Sequence, residues 1–290
     1  MTVRAGGSLH GARGVELYRQ SWLPEGEVRG VVVLVHGFGE HSDRYDHVAR
    51  ALTDDGLAVY AADHRGHGRS QGARAVVDVA DVVSDLDQLV VLAAGETRSD
   101  PPAPVFMLGH SLGAMIAVQY ALTHQARLGG LILSGALATV DASPMLRRIG
   151  KVIAAVAPRA PLIELDAGLV SRDPEVVAAY RADPLVHHGR IPARTAAQMA
   201  DTTGSFPGRV GAITLPALVL YGTADRLCPP AGSVMLAELL GSDDVTIRAY
   251  EGLYHEILNE PERETVIADV RAWLAERVGG ATRGPAGVSG

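Results

Sequence analysis

The chain has 290 residues, 47% apolar and 20% charged, and its formal charge is −7. That is the composition of a globular protein with ample core. It argues against a nucleic-acid partner, since no basic face is available to displace counterions. The lone cysteine, Cys228, excludes an internal disulfide framework.

In chain order, Met1–Gly14 is glycine-rich and lacks an apolar stretch of secretory-signal length, and no later run has bilayer-spanning length. A cytoplasmic enzyme, at most peripheral to a membrane, is the expectation. Gly14–Trp22 alternates as an edge strand does. Val31–Val35 is an unbroken aliphatic run, the pattern of a strand buried on both faces. Arg44–Asp55 repeats apolar residues at helical spacing, Leu57–Ala62 is a second buried strand, and Val76–Ala94 is a long helix. Val105–Leu108 is a strand with a helix over Ala114–Thr123, and Gly130–Leu133 is another strand. From Ala136 to about Pro207 the rhythm breaks into proline-interrupted helical patterns with no clear strand. Ala217–Tyr221 and Val245–Tyr250 restore the strands, with helices over Ala231–Leu240 and Glu262–Val278. Strands alternating with helices predict an α/β protein with a mostly parallel central sheet covered on both faces. The expected division is a core of residues 1–135 and 208–278, a helical cap over 136–207, and a disordered tail at 279–290.

Gly109-His110-Ser111-Leu112-Gly113 stands between a strand and a helix. A serine on such a sharp turn carries its hydroxyl above the sheet, and only glycine fits where the backbone crowds on either side. Taken alone, the pentapeptide also describes a serine capping a helix in a glycine-rich turn. Serine is a poor nucleophile until a base takes its proton, and the base needs an acid to orient it. On the α/β-hydrolase fold these follow in the order Ser, Asp or Glu, His, at the ends of later strands. Asp225 lies four residues past the strand ending at Tyr221, and His255 lies just past the strand ending at Tyr250. Asp243 and Asp244 precede their strand and would sit at the wrong end of the sheet. His36-Gly37-Phe38-Gly39 follows the first buried strand, so the amides of Phe38 and Leu112 are the expected oxyanion donors. These parts predict the α/β-hydrolase fold and acyl transfer through Ser111, with no metal or organic cofactor.

His36, His41, His47, His64 and His67 also gather in one region, but the H-E-x-x-H pattern that His255-Glu256 begins is broken by Asn259. The His64–Gly68 loop is read as structural.

Together these motifs resemble the monoacylglycerol lipases, particularly bacterial members, a serine-hydrolase family that also contains lysophospholipase-like enzymes. The resemblance spans most of Val15–Val278. It is carried by His36–Ser42 with Arg44-Tyr45, Asp63–Ser70, Gly109–Gly113, Ser171–Asp173, Asp183–Leu185, Gly222–Leu227 and Tyr250–Glu256. It implies a lipid monoester substrate and a triad of Ser111, Asp225 and His255. It further implies that Glu40 and Arg44 shape the pocket for the glycerol head, joined by Tyr180, and that residues 136–207 form a cap over the site. The chain departs from the mammalian members at Leu258, where they carry a second histidine. A broad carboxylesterase or lysophospholipase would use the same triad. An aminopeptidase would need an acidic anchor for a free amino terminus, and a non-catalytic binding protein would not need the triad.

In the cap, Met145, Leu146, Ile149, Val152, Ile153 and Val156 share one helical face, with Arg147, Arg148 and Lys151 elsewhere. That stripe either packs on the core or makes peripheral membrane contact. Cys228, three residues past the proposed acid, is expected to lie near the site. The sequence carries no signal of oligomeric state.

Overall fold

The computed structural model describes residues 2–97, 100, 102–140 and 143–278; the tail at 279–290 lies outside the described residues. The chain opens with β1 (Val3–His10) and β2 (Glu16–Leu23), an antiparallel pair with Val3 opposite Leu23 and His10 opposite Glu16. Then β3 (Gly30–Val35), α1 (Asp46–Asp54), β4 (Leu57–Ala62), α2 (Val79–Glu96), β5 (Val105–His110), α3 (Leu112–His124) and β6 (Gly130–Ser134) alternate. The segment after β6 holds α4 (Pro144–Val156), β7 (Pro161–Ile163), α5 (Pro174–Ala182), β8 (Ile191–Pro192) and α6 (Ala193–Ser205). The chain returns to the sheet with β9 (Ala217–Gly222), α7 (Pro230–Leu239), β10 (Val245–Tyr250) and α8 (Arg263–Val278).

Eight strands form one sheet in the order β1-β2-β4-β3-β5-β6-β9-β10. β2 runs antiparallel to β4, and every pair from β4 to β10 is parallel. The aliphatic run of β3 shows why. Val31, Val33 and Val35 enter one core with residues of α2 and α3, while Val32 and Leu34 enter a second core with α1 and α8. A period of two with both phases apolar can be buried only between two helical layers. All parallel strands therefore end on one edge of the sheet, where the loops carrying Phe38, Ser111, Asp225 and His255 emerge.

Two elements differ from the sequence reading. β1 was not expected, and it rather than β2 forms the edge of the sheet: it is almost wholly exposed, with Leu9 its only buried residue, so it shows no alternation and is held by its ladder to β2. β7 and β8 form a short antiparallel ribbon within the segment expected to be purely helical. Each is only two or three residues long and each contains a proline, too short to produce a periodic signal.

Prolines in this segment start helices. Pro144 and Pro174 begin α4 and α5, where the missing N–H costs nothing. Ser143 Oγ accepts from the Leu146 amide at 3.3 Å and Asp173 Oδ1 from the Glu175 amide at 2.8 Å, capping both. α6 is fastened below by Thr195, whose hydroxyl accepts from the Val77 amide at 2.9 Å and donates to the Ala75 carbonyl at 2.7 Å. The apolar stripe of α4 faces outward: Met145 is 71% exposed, Val152 64% and Val156 79%. No described helix is long and apolar enough to cross a membrane.

Candidate active site

Ser111 joins β5 to α3 with φ 54° and ψ −118°. A non-glycine residue in this region carries a strain of roughly 1–3 kcal/mol and persists only where its surroundings over-determine it. Here they do. A Cβ on Gly109 would lie 2.5 Å from the Gly113 carbonyl oxygen, and one on Gly113 would run into the Val35 carbonyl. The Ser111 amide donates to the Ser134 carbonyl at 2.9 Å, so the neighbouring strand end also fixes the turn. Leu112 is the first residue of α3, and its amide has no intrahelical acceptor.

Asp225 and His255 emerge from the ends of β9 and β10 and meet. His255 Nδ1 donates to Asp225 Oδ2 at 2.7 Å, while Asp225 Oδ1 accepts from the amides of Leu227 and Cys228, each at 2.9 Å. Those bonds fix the carboxylate, which fixes the ring with Nε2 free to accept a proton. Burial alone would lower the pKa of His255. The charge and hydrogen bond of Asp225 outweigh burial, with Glu256 and Glu40 adding to them, and hold the imidazole above its ordinary range. The His110 ring lies 4.7 Å from that of His255; burial, then the neighbouring His255, push His110 down to about 3. It is therefore a neutral spacer.

Among the described residues no hydrogen bond joins Ser111 Oγ to His255; the serine hydroxyl instead faces Cys228 Sγ at 3.8 Å. Catalytic hydrogen bonds are often long without substrate and tighten when it binds. Cys228 thus stands beside Ser111, as its position led one to expect. Burial, reinforced by the charge of Asp225, raises its thiol pKa and keeps it protonated.

The turn after β3 brings Phe38 to the same cavity. Gly37 is required by close approach, since a Cβ there would press on Ser111 Cβ at 3.2 Å and Glu40 Oε1 at 2.8 Å. The histidine cluster braces this turn. The His64 amide donates to His36 Nε2 at 2.8 Å, His64 Nε2 donates back to the His36 carbonyl at 3.0 Å, and His36 Nδ1 donates to the Gly37 carbonyl at 2.8 Å. Burial holds all three of His36, His64 and His67 below the ordinary histidine range. Among the described residues no group of histidine, cysteine and acidic side chains has the arrangement of a metal site. From above, the His187 amide donates to the Gly39 carbonyl at 2.7 Å, and His41 Nε2 bonds Asp183 Oδ2 at 2.8 Å. The segment between β6 and β9 therefore touches the turn beside Phe38 directly.

Ser111, His255, Phe38, Glu40 and Tyr180 line one cavity of about 630 Å³, together with Leu137, Val140, Ile163, Leu165, Ile191 and Met199. Arg44 does not line it. Its guanidinium lies behind the wall, paired with Glu40 at 2.7 Å and with Glu256 at 2.6 Å, and 4.8 Å from the centre of the Tyr180 ring. Leu258 also lies off the cavity, packed in the second core, with its carbonyl accepting from His47 Nε2 at 2.7 Å. Glu256, which does line the cavity, was not singled out from the sequence. Its one visible signal was adjacency to His255; its partner Arg44 is 212 residues away.

A parallel sheet of this order, with a strained serine turn at one strand end and a histidine–aspartate pair at two later ones, defines the α/β-hydrolase class. Comparison with known proteins agrees. A family model described as serine aminopeptidase, S33, matches residues 26–262. The chain is 44% identical over 280 residues to the monoacylglycerol lipase of Mycolicibacterium smegmatis, covering 96% of this chain and 99% of that one. It is 35% identical to the human monoglyceride lipase, covering 96% of this chain and 92% of the relative. The crystal structure of the Paleococcus ferrophilus monoacylglycerol lipase superposes with a TM-score of 0.80 at 33% identity, over 90% of this chain and 99% of that one. The chain belongs to the serine aminopeptidase, S33, family of α/β-hydrolases and, within it, to the monoacylglycerol lipases.

Proposed function

We propose that this protein hydrolyses monoacylglycerols to glycerol and free fatty acid, with Ser111 as nucleophile, His255 as base and then acid, and Asp225 as the acid that orients it. The observation that carries this reading is the buried His255–Asp225 pair sharing one apolar-walled cavity with a serine held at φ 54°. Ser111 Oγ attacks the ester carbonyl carbon while its proton passes to His255 Nε2. The amides of Phe38 and Leu112 hold the oxyanion, each worth about 3 kcal/mol in the transition state. The tetrahedral intermediate collapses to an acyl-serine as His255 delivers the proton to the glycerol oxygen. Water, giving its proton to the same nitrogen, then releases the fatty acid. The names of the relatives support the choice of substrate.

Residues 136–207 serve as a cap. Ile163 and Leu165 line the cavity and are also exposed, which gives its mouth an apolar rim. The outward stripe of α4, with Arg148 and Lys151 exposed beside it, supports peripheral contact with lipid surfaces over packing on the core. Liposome flotation tests this: Val152→Asp with Val156→Asp should reduce the bound fraction several-fold, and unchanged partition would refute it.

Glu40 and Glu256 are both engaged by Arg44, so neither stands as a lone anchor for the free amino terminus of a peptide. Arg181 and Arg226, exposed on the cavity wall, favour a second reading in which a lysophospholipid phosphate meets them. A panel of monoacylglycerols, lysophospholipids and short esters separates the readings. The highest kcat/KM is expected for a monoacylglycerol; a lysophospholipid maximum would overturn that choice.

A further inference from the structure

Away from the cavity, the sheet ends on β10, which among the described residues pairs with β9 alone. Ile247, Arg248 and Ala249 of this strand are exposed, Ile247 by 40%. The carbonyls of Asp244 and Tyr250 accept from the amides of Ala217 and Thr223 on the β9 side, at 2.9 and 3.0 Å. Even-numbered residues therefore turn their backbone groups toward β9, and Val245, Ile247 and Ala249 turn theirs outward. The even side chains face α8: Asp244 pairs with Arg277 at 2.7 Å, and the Tyr250 hydroxyl donates to Asp269 Oδ2 at 2.8 Å. Arg248 lies between them on that face. Its guanidinium reaches only back to the Ile247 carbonyl at 3.4 Å, a bond that a second strand would replace, and among the described residues no carboxylate pairs with it.

A lone charge on an edge strand ordinarily keeps other strands away. A second copy of the same edge is a different case. Two-fold pairing of one strand with itself is antiparallel, and outward-turned residues must lie opposite outward-turned residues. The symmetry axis then passes beside a single residue. Placed at Arg248, it sets the two arginines against each other; placed at Ile247, it sets Arg248 opposite Thr246. Placed at Thr246, it sets Val245 opposite Ile247, exchanging backbone bonds, and sets Arg248 of each copy opposite Asp244 of the other. Arg248 and Asp244 then form the type of pair whose side chains approach most closely. Asp244 is 50% exposed and already oriented by Arg277. The opposite edge, β1, offers no such match, because its arginine, Arg4, is already paired with Asp43 and Asp46.

We propose that β10 is a self-association surface: two copies of this chain pair edge to edge, antiparallel about Thr246, with Arg248 of one meeting Asp244 of the other on both sides of the axis. The full chain is tested by sedimentation analysis at roughly 50 μM, where a pair with a Kd of about 1 μM is mostly assembled. A mass twice that of one chain is expected. Arg248→Asp, which sets acid against acid twice, should raise the dissociation constant by about tenfold or more. Ile247→Pro, which removes an outward amide and no bond to β9, should do the same. Thr246→Cys reads the register. Oxidised with copper–phenanthroline, it should form a disulfide-linked dimer across the axis. Ile247→Cys should not, because the two copies of that residue lie too far apart to bridge. Wild type, whose Cys228 is buried, is the blank. If circular dichroism shows that Ile247→Pro does not fold, Arg248→Asp and the two cysteine variants carry the test. A wild type that sediments as a single chain overturns the proposal. So does a dimer that Arg248→Asp leaves intact, or one that Thr246→Cys fails to cross-link, since either puts the contact on another face or in another register.

Discussion

His255 is held by opposing forces. Burial favours the neutral ring, and the Asp225 carboxylate at 2.7 Å favours the charged one and wins. On the proposed mechanism the base must be neutral to take the Ser111 proton, so activity should fall as pH drops through the His255 pKa, and the acid limb should lie above the ordinary histidine value of 6.5. Asp225→Asn removes the largest raising influence and leaves burial in place, so the acid limb should move to lower pH. kcat should fall about 10⁴-fold, as it does when a serine protease loses the corresponding acid. A pH–rate profile with an unmoved limb would show that Asp225 does not orient the base. The strained turn at Ser111 and the meeting of Asp225 with His255 were readable because order and distance from strand ends are properties of the chain. The Glu40–Arg44–Glu256 network was only half readable. Glu40 and Arg44 are four apart, but the distance that decides Glu256 is spatial, closed by β10 returning to the sheet.

The decisive elements are the turn after β3 and the segment after β6. The His187 amide holds the carbonyl one residue beyond Phe38, and His41–Asp183 ties the end of α5 to the same loop. If Phe38 donates to the oxyanion as proposed, a change at the end of α5 should be felt there. Asp183→Ala should lower kcat on a small soluble ester by an order of magnitude, less than the roughly 10²–10³ that follows loss of a whole oxyanion donor. Because His41 is buried and Asp183 only 26% exposed, melting temperature should also fall, so kcat is compared at a temperature where the variant is fully folded. Full activity in the variant would uncouple the two elements. Amphipathic spacing revealed the α4 stripe but not its direction, since a face that binds core and a face that binds lipid have the same period. The β1 strand, glycine-rich and exposed, had no period at all, and its place is set by the ladder to β2.

Across the whole molecule, the two cores on either face of the sheet make a rigid platform from which four separate loops reach one cavity. The apolar runs of β3 to β6 made that platform legible, because strands buried on both faces leave few other architectures open. The place of Cys228 three residues past Asp225 pointed to the same region, but not to which atom its thiol meets. Cys228 Sγ lies 3.8 Å from Ser111 Oγ, so an acyl adduct has to be located to one side chain or the other. The most direct measurement is therefore to mix the protein with a monoacylglycerol, quench in acid during the first turnover, and locate the acyl mass by peptide mass spectrometry. The acyl group is expected on Ser111, and Ser111→Ala should lose both the adduct and turnover. An adduct on Cys228, or turnover that survives Ser111→Ala, would contradict the acyl-serine mechanism.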